Sequence, residues 1–125
     1  MKTLSIMYVE DNRDLRDSLS EMLAGPGRTV AAFATGEAAL VASQAGAPDL
    51  LVTDISLPGM SGTDLARILV AKNPAQWVAL CSGYDFGKHV TTLGANVRAL
   101  PKPFELEQLE TLIDEIKAVL SLPGR

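Results

Sequence analysis

Apolar positions along this chain follow two rhythms. Short, near-continuous runs, LSIMYV at Leu4 to Val9, LLVTDI ending at Ile55 and WVALCS at Trp77 to Ser82, alternate with longer stretches in which apolar residues recur at helical spacing. That alternation argues for βαβ units and a parallel sheet. Strands that are apolar on nearly every side chain suit a sheet covered by helices on both faces, because neither face meets water. The pattern predicts an α/β chain with a doubly wound sheet.

Element by element, the first helix carries Leu15, Leu19, Met22 and Leu23 on one face and stops at Ala24-Gly25-Pro26-Gly27. A second strand spans Thr29 to Ala34. Thr35 is the expected N-cap of an Ala-rich helix from Gly36 to Ala45, which Gly46-Ala47-Pro48 ends. The third strand finishes on Asp54. Ser61 and Asp64 have capping-box spacing ahead of Leu65, Ile68 and Leu69, so a helix begins there and ends before Asn73-Pro74. After the fourth strand, Trp77 to Ser82, a short helix is expected over Asp85 to Gly94, weakened by Gly87 and the β-branched pair Thr91 and Thr92. Val97 to Leu100 is the fifth strand, and Pro101 at its end suits an edge, where a missing N–H costs no ladder bond. The last helix has the clearest stripe: Leu106, Leu109, Leu112, Ile113, Ile116 and Leu120, with Glu105, Glu107 and Glu110 near its N-terminus.

With 125 residues, 47% of them hydrophobic, the chain can bury one core and is too short for two ordinary domains, so residues 1–125 are expected to form a single domain. Apolar runs of about six residues fall far short of the ~20 that span a bilayer, and no signal-peptide pattern precedes the first strand, which predicts a cytoplasmic protein without a membrane partner. The net charge of -4 and the scattered basic residues leave no nucleic-acid surface. Cys81 lies inside an apolar run and reads as a small buried hydrophobe. His89 reads as a solvated side chain and Trp77 as packing at the end of the sheet opposite the strand termini described next. Tyr84 is either a plain loop aromatic or a shield over a reactive group.

In open parallel sheets, ligands bind beyond the carboxyl ends of the strands. Here those ends carry Glu10 and Asp11, then Asp54, then Ser82, then Lys102 followed by Pro103. Read singly, Glu10 and Asp11 would be an N-capping pair, Asp54 a turn residue and Ser82-Gly83 a turn. Together they put carboxylates, a hydroxyl and an ammonium on one rim. Two carboxylates ~4 Å apart repel by roughly 4 kcal/mol at an effective dielectric near 20, so the cluster needs a compensating charge. Magnesium, a hard cation that binds through one or two carboxylates plus phosphate oxygens, fits best, and Lys102 adds a point charge. A phosphoryl group at this rim would meet a hydrogen-bond donor in Ser82 and a nucleophile in Asp54, and the product would be an aspartyl phosphate.

VEDN at Val9 to Asn12, DISLPGMSG at Asp54 to Gly62, CSGY at Cys81 to Tyr84 and PKPF at Pro101 to Phe104 resemble, in this order, the motifs of response-regulator receiver domains of two-component systems. The resemblance covers essentially the whole chain. It implies a flavodoxin-like, five-stranded parallel sheet of order 2-1-3-4-5 flanked by five helices. It also implies that Asp54 accepts a phosphoryl group from a histidine kinase or phosphotransfer domain, in a protein that is not an enzyme beyond slow loss of its own phosphate and is a monomer or weak dimer. Carried over by residue, Asp11, Asp54 and the backbone carbonyl of Ser56 would bind Mg2+, with Glu10 acting largely through water. Ser82 would contact the phosphoryl oxygens, Lys102 would pair with the phosphorylated carboxylate, and the Lys102–Pro103 bond would be cis, a state proline alone makes accessible. The family's usual switch aromatic, three residues before the lysine, is replaced by Ala99, which has no rotamer to change. The SGY and LPKPF segments are similar to those of receivers attached to hybrid sensor kinases.

Three alternatives stand beside this reading. An interaction-only receiver would keep the fold but lose acceptor residues, which are all present. A dehalogenase-type aspartyl enzyme resembles D-x-D, and Ser56 occupies the second position. A flavodoxin relative would carry a hydroxyl-rich phosphate loop where this chain has Glu10-Asp11.

Overall fold

The computed structural model describes residues 3–82, 93–101 and 106–120. Its strands are β1 (Leu4–Val9), β2 (Arg28–Phe33), β3 (Leu50–Asp54), β4 (Trp77–Ser82) and β5 (Val97–Pro101). They form one sheet in the order β2-β1-β3-β4-β5, and every neighbouring pair is parallel. Among the described residues the helices are α1 (Arg13–Leu23), α2 (Gly36–Ala45), α3 (Gly62–Lys72) and α4 (Leu106–Leu120). This is the expected flavodoxin-like, doubly wound sheet. The helix expected over Asp85 to Gly94 falls almost wholly outside the described residues, as do Lys102, Pro103 and the cis bond expected between them.

The two faces follow from the two-residue period of a strand. Leu4, Ile6 and Tyr8 of β1, Leu50 and Val52 of β3 and Trp77, Ala79 and Cys81 of β4 form one buried cluster with Leu23 of α1 and Leu109, Leu112, Ile113 and Ile116 of α4. The intervening residues, Met7, Val9, Leu51, Val78 and Leu80, form a second cluster with Ala39 of α2 and Leu65, Ala66 and Leu69 of α3. Each central strand therefore buries both its faces, which accounts for its unbroken apolar run. Cys81 is buried inside the first cluster, as its surroundings in the sequence suggest. Trp77 joins the same cluster, with the Arg98 guanidinium 5.3 Å from its ring centroid.

Helix starts follow the capping chemistry. The Thr35 hydroxyl accepts from the Ala38 N–H at 3.1 Å and the Ser61 hydroxyl from the Asp64 N–H at 3.1 Å. Two expectations need adjustment. Strand β2 runs from Arg28 to Phe33, one residue earlier than the pattern suggested, because the Gly25–Arg28 turn, with Gly27 at φ 78°, delivers Arg28 into register with Leu4. Leu15, assigned to the buried face of α1, is 36% exposed. Helix α1 starts at the carboxyl edge of the sheet, and burial along it grows toward its far end, where Leu23 is 1% exposed. Leu19 and Met22, further along, do pack against the core.

Ile113, 1% exposed between α4 and the sheet, should lower stability by about 2–5 kcal/mol when changed to Ala, whereas Val41→Ala, at a side chain 67% exposed, should stay within about 0.5 kcal/mol. Urea unfolding followed by circular dichroism measures both.

Candidate functional site

Adjacent strands β1 and β3 end on the same edge of the sheet, and their ends bring Glu10, Asp11 and Asp54 together. Carboxylate oxygens of the three lie within 4.8 Å of one another. Glu10 is almost fully buried at 2% exposure, Asp54 is half-buried and Asp11 is exposed, so the cluster is a shallow basin with a buried floor. The donors are all hard oxygens of formal negative charge, the set that suits a divalent cation such as Mg2+ or Ca2+ and not a soft metal. The residues present therefore fit the metal that the motifs imply.

The main chain holds this basin. The Glu10 N–H donates to the Phe33 carbonyl at 3.0 Å, continuing the β1–β2 ladder one residue past the strand. The Glu10 carboxylate accepts from the Asn12 N–H at 3.1 Å, and the Arg16 guanidinium reaches back one turn to the Glu10 carbonyl at 2.8 Å. The cap of α1 is Asn12, whose side-chain oxygen accepts from the Leu15 N–H at 3.0 Å. Neither Glu10 nor Asp11 does that work.

On the β3 side, the Thr53 hydroxyl, fully buried, donates to the Asp54 carbonyl at 2.9 Å, and the Ile55 N–H donates to the Cys81 carbonyl at 3.1 Å. The loop that follows closes where the Gly62 N–H meets the Ile55 carbonyl at 2.9 Å. Gly62 has to be glycine: a Cβ there would overlap the Asp54 carbonyl oxygen and come within 3.0 Å of the Thr53 hydroxyl. Ser56 is an exposed residue of this loop.

Of the residues singled out in the sequence, Glu10, Asp11 and Asp54 are brought together. Ser82 is the last residue of β4, opposite Pro101 of β5, which puts its backbone on the same edge; its side chain lies outside the description. Lys102, His89 and Tyr84 lie outside the described residues. Ala99 is half-buried against the α2–α3 side core, where it packs and offers no rotamer to report on the site.

Several residues at the site were not legible as functional in the sequence. Asn12 and Gly62 stand inside motifs whose chemistry points to their neighbours, and Arg16 carries no signal in the sequence, because its contact with Glu10 depends on the angle at which α1 leaves β1. Tyr8 read as one more apolar strand residue. It is 2% exposed, and among the described residues its hydroxyl makes no hydrogen bond. Burial raises the pKa of this phenol far above its usual range, the nearby charges of Glu10, Cys81 and Asp54 raise it further, and Arg16 opposes them. The tyrosine thus stays neutral beneath the acidic basin.

A family model for the response regulator receiver domain matches residues 6–114. The DNA-binding transcriptional regulator NtrC of Salmonella typhimurium is 30% identical over 117 residues, which cover 87% of this chain and 24% of that protein. The response regulator protein FleR of Pseudomonas aeruginosa is 34% identical over 122 residues, covering 95% of this chain and 25% of that protein. The chain thus spans about a quarter of the length of these relatives. The receiver domain of the Francisella response regulator 1452 superposes with a TM-score of 0.82 over 95% of this chain and 100% of that one, at 19% identity, a likeness of fold alone.

Two substitutions test the packing of the site. Gly62→Ala should destabilise by about 3 kcal/mol, since the added methyl has to displace main chain, while Asn12→Ala should lose about 1 kcal/mol of capping. Tyr8→Phe should raise stability by about 1 kcal/mol, because it removes a desolvated hydroxyl with no partner among the described residues. Thermal and urea unfolding read all three.

Proposed function

Because the chain belongs to the response regulator receiver domain family, we propose that residues 1–125 act as a single receiver module in a two-component phosphorelay, accepting a phosphoryl group on Asp54. The gathering of Glu10, Asp11 and Asp54 at one edge of the sheet carries this reading. The donor is a phosphohistidine of a sensor histidine kinase or a phosphotransfer domain. A carboxylate oxygen of Asp54 forms the new O–P bond as the P–N bond to the donor imidazole breaks, and the electron pair of that bond leaves with the imidazole. The acceptor becomes an aspartyl phosphate, and no water is consumed.

Asp11, Asp54 and the main-chain carbonyl of Ser56 would hold Mg2+, with Glu10 acting through water; the cation supplies positive charge to the phosphoryl oxygens. Ser82 would donate a hydrogen bond to one of those oxygens, and Lys102 would pair with the modified carboxylate. Catalysis of this kind is positioning and electrostatic neutralisation, so the module modifies itself and turns over no separate substrate. Two-component donors act in the cytoplasm, and we place the module there, as a monomer or weak dimer that makes no direct contact with nucleic acid. With Ala99 half-buried against the core, its output runs through changes of main chain around Asp54 and not through an aromatic rotamer.

Incubation of the chain with Mg2+ and a small acyl phosphate should add one phosphoryl group by mass spectrometry. Asp54→Asn, or removal of the cation with a chelator, should abolish the addition. Equal labelling of wild type and Asp54→Asn would sink the proposal. Asp11→Asn should raise the Mg2+ concentration needed for half-maximal labelling by about 10-fold or more, since it removes a ligand charge.

A further inference from the structure

Glu37 lies outside the acidic basin, in the first turn of α2, yet it touches the loop that leaves the acceptor strand. Its carboxylate accepts from the Met60 N–H at 3.0 Å. Two glycines permit the approach. Gly59 sits at φ +74°, and any side chain there would run into the Glu37 carboxylate. Gly36 lies close enough to Met60 that a Cβ would stand 3.2 Å from the Met60 carbonyl oxygen. Glu37 is itself favoured at this place, because the N-terminus of α2 attracts a carboxylate.

Loop 55–61 is therefore gripped from two sides. At its start, the Ile55 N–H is tied to Cys81 and the Ile55 carbonyl to Gly62. At its far end, the Gly59–Met60 turn is tied to α2 through Glu37. Ser56 and the turn Pro58-Gly59 lie between these two grips. Resting on the acceptor reading above, we propose that Glu37 is a positioning residue: its clasp on the Gly59–Met60 turn sets the path of the loop so that the Ser56 carbonyl faces Glu10, Asp11 and Asp54. Met60 also packs against the α2–α3 side core, so the fold does not depend on the clasp. Removal of the carboxylate should loosen the loop without unfolding the chain.

The test compares wild type, Glu37→Ala and Glu37→Gln in the full chain, with three readouts: direct Mg2+ binding by titration calorimetry, exchange of the Met60 amide by NMR, and thermal stability. Glu37→Ala should weaken Mg2+ binding by about 10-fold, the smaller end of losses seen when residues supporting a metal's ligands are removed. It should speed Met60 exchange by about 10-fold, the effect of losing one charge-assisted hydrogen bond. Glu37→Gln keeps an acceptor oxygen and should restore most of both effects. A purely structural role would lower thermal stability and leave Mg2+ affinity untouched, which would overturn the proposal, as would unchanged Met60 exchange in Glu37→Ala. Failure of the acceptor reading is seen separately, as absence of Mg2+ binding in wild type; the positioning role then falls with it, whatever Met60 exchange shows.

Discussion

Mutual repulsion among Glu10, Asp11 and Asp54 is the constraint around which this molecule is arranged. Their oxygens approach within 4.8 Å, and like charges so close repel one another. Glu10 adds the desolvation of a nearly buried carboxylate. An arrangement of this kind persists only where rigid neighbours prevent the acids from moving apart. Parallel strands β1 and β3, paired directly from Ile6–Leu50 to Val9–Thr53, provide that rigidity. The Asn12 N–H, donated to the Glu10 carboxylate, returns part of the hydration that was lost, while the Arg16 guanidinium holds the Glu10 main-chain carbonyl.

Local chemistry around the basin keeps the acids out of other duties. Asn12, Thr35 and Ser61 cap α1, α2 and α3, so no carboxylate of the cluster is needed to satisfy a helix end. Glycines remove side chains where main chain must pass close: Gly62 beside the Asp54 carbonyl, and Gly59 beside Glu37. Each of these choices is modest in energy. Their joint effect is a half-buried carboxylate at the end of a buried strand and a loop held at both ends.

The same frame accounts for the surroundings of Ala99. Alternation along β5 puts Ala99, half-buried, against the α2–α3 side core, where a methyl group fills space and cannot swing. Around Asp54 the main chain is held directly, the Asp54 carbonyl by the Thr53 hydroxyl and Ile55 by Gly62 and Cys81.

Period and punctuation made most of the fold legible. Unbroken apolar runs marked β1, β3 and β4 because each buries both faces, Thr35 and Ser61 marked helix starts because their hydroxyls answer unpaired N–H groups, and the stripe from Leu109 to Ile116 marked the face of α4 that meets the sheet. The acids at the strand ends were legible as candidates for the same reason: a charged residue directly after a buried strand has to lie at an edge. Their meeting on one rim was expected too, through the strand order that the motifs' resemblance implies, since it requires β1 and β3 to be neighbours; periodicity alone does not record that order. Arg16 on Glu10, the exposed Leu15, the Tyr8 hydroxyl without a partner among the described residues and the clasp of Glu37 on Met60 waited on tertiary structure. Each depends on the distance and angle between elements far apart in the chain, and a periodic pattern records which way a side chain faces but not what stands opposite it.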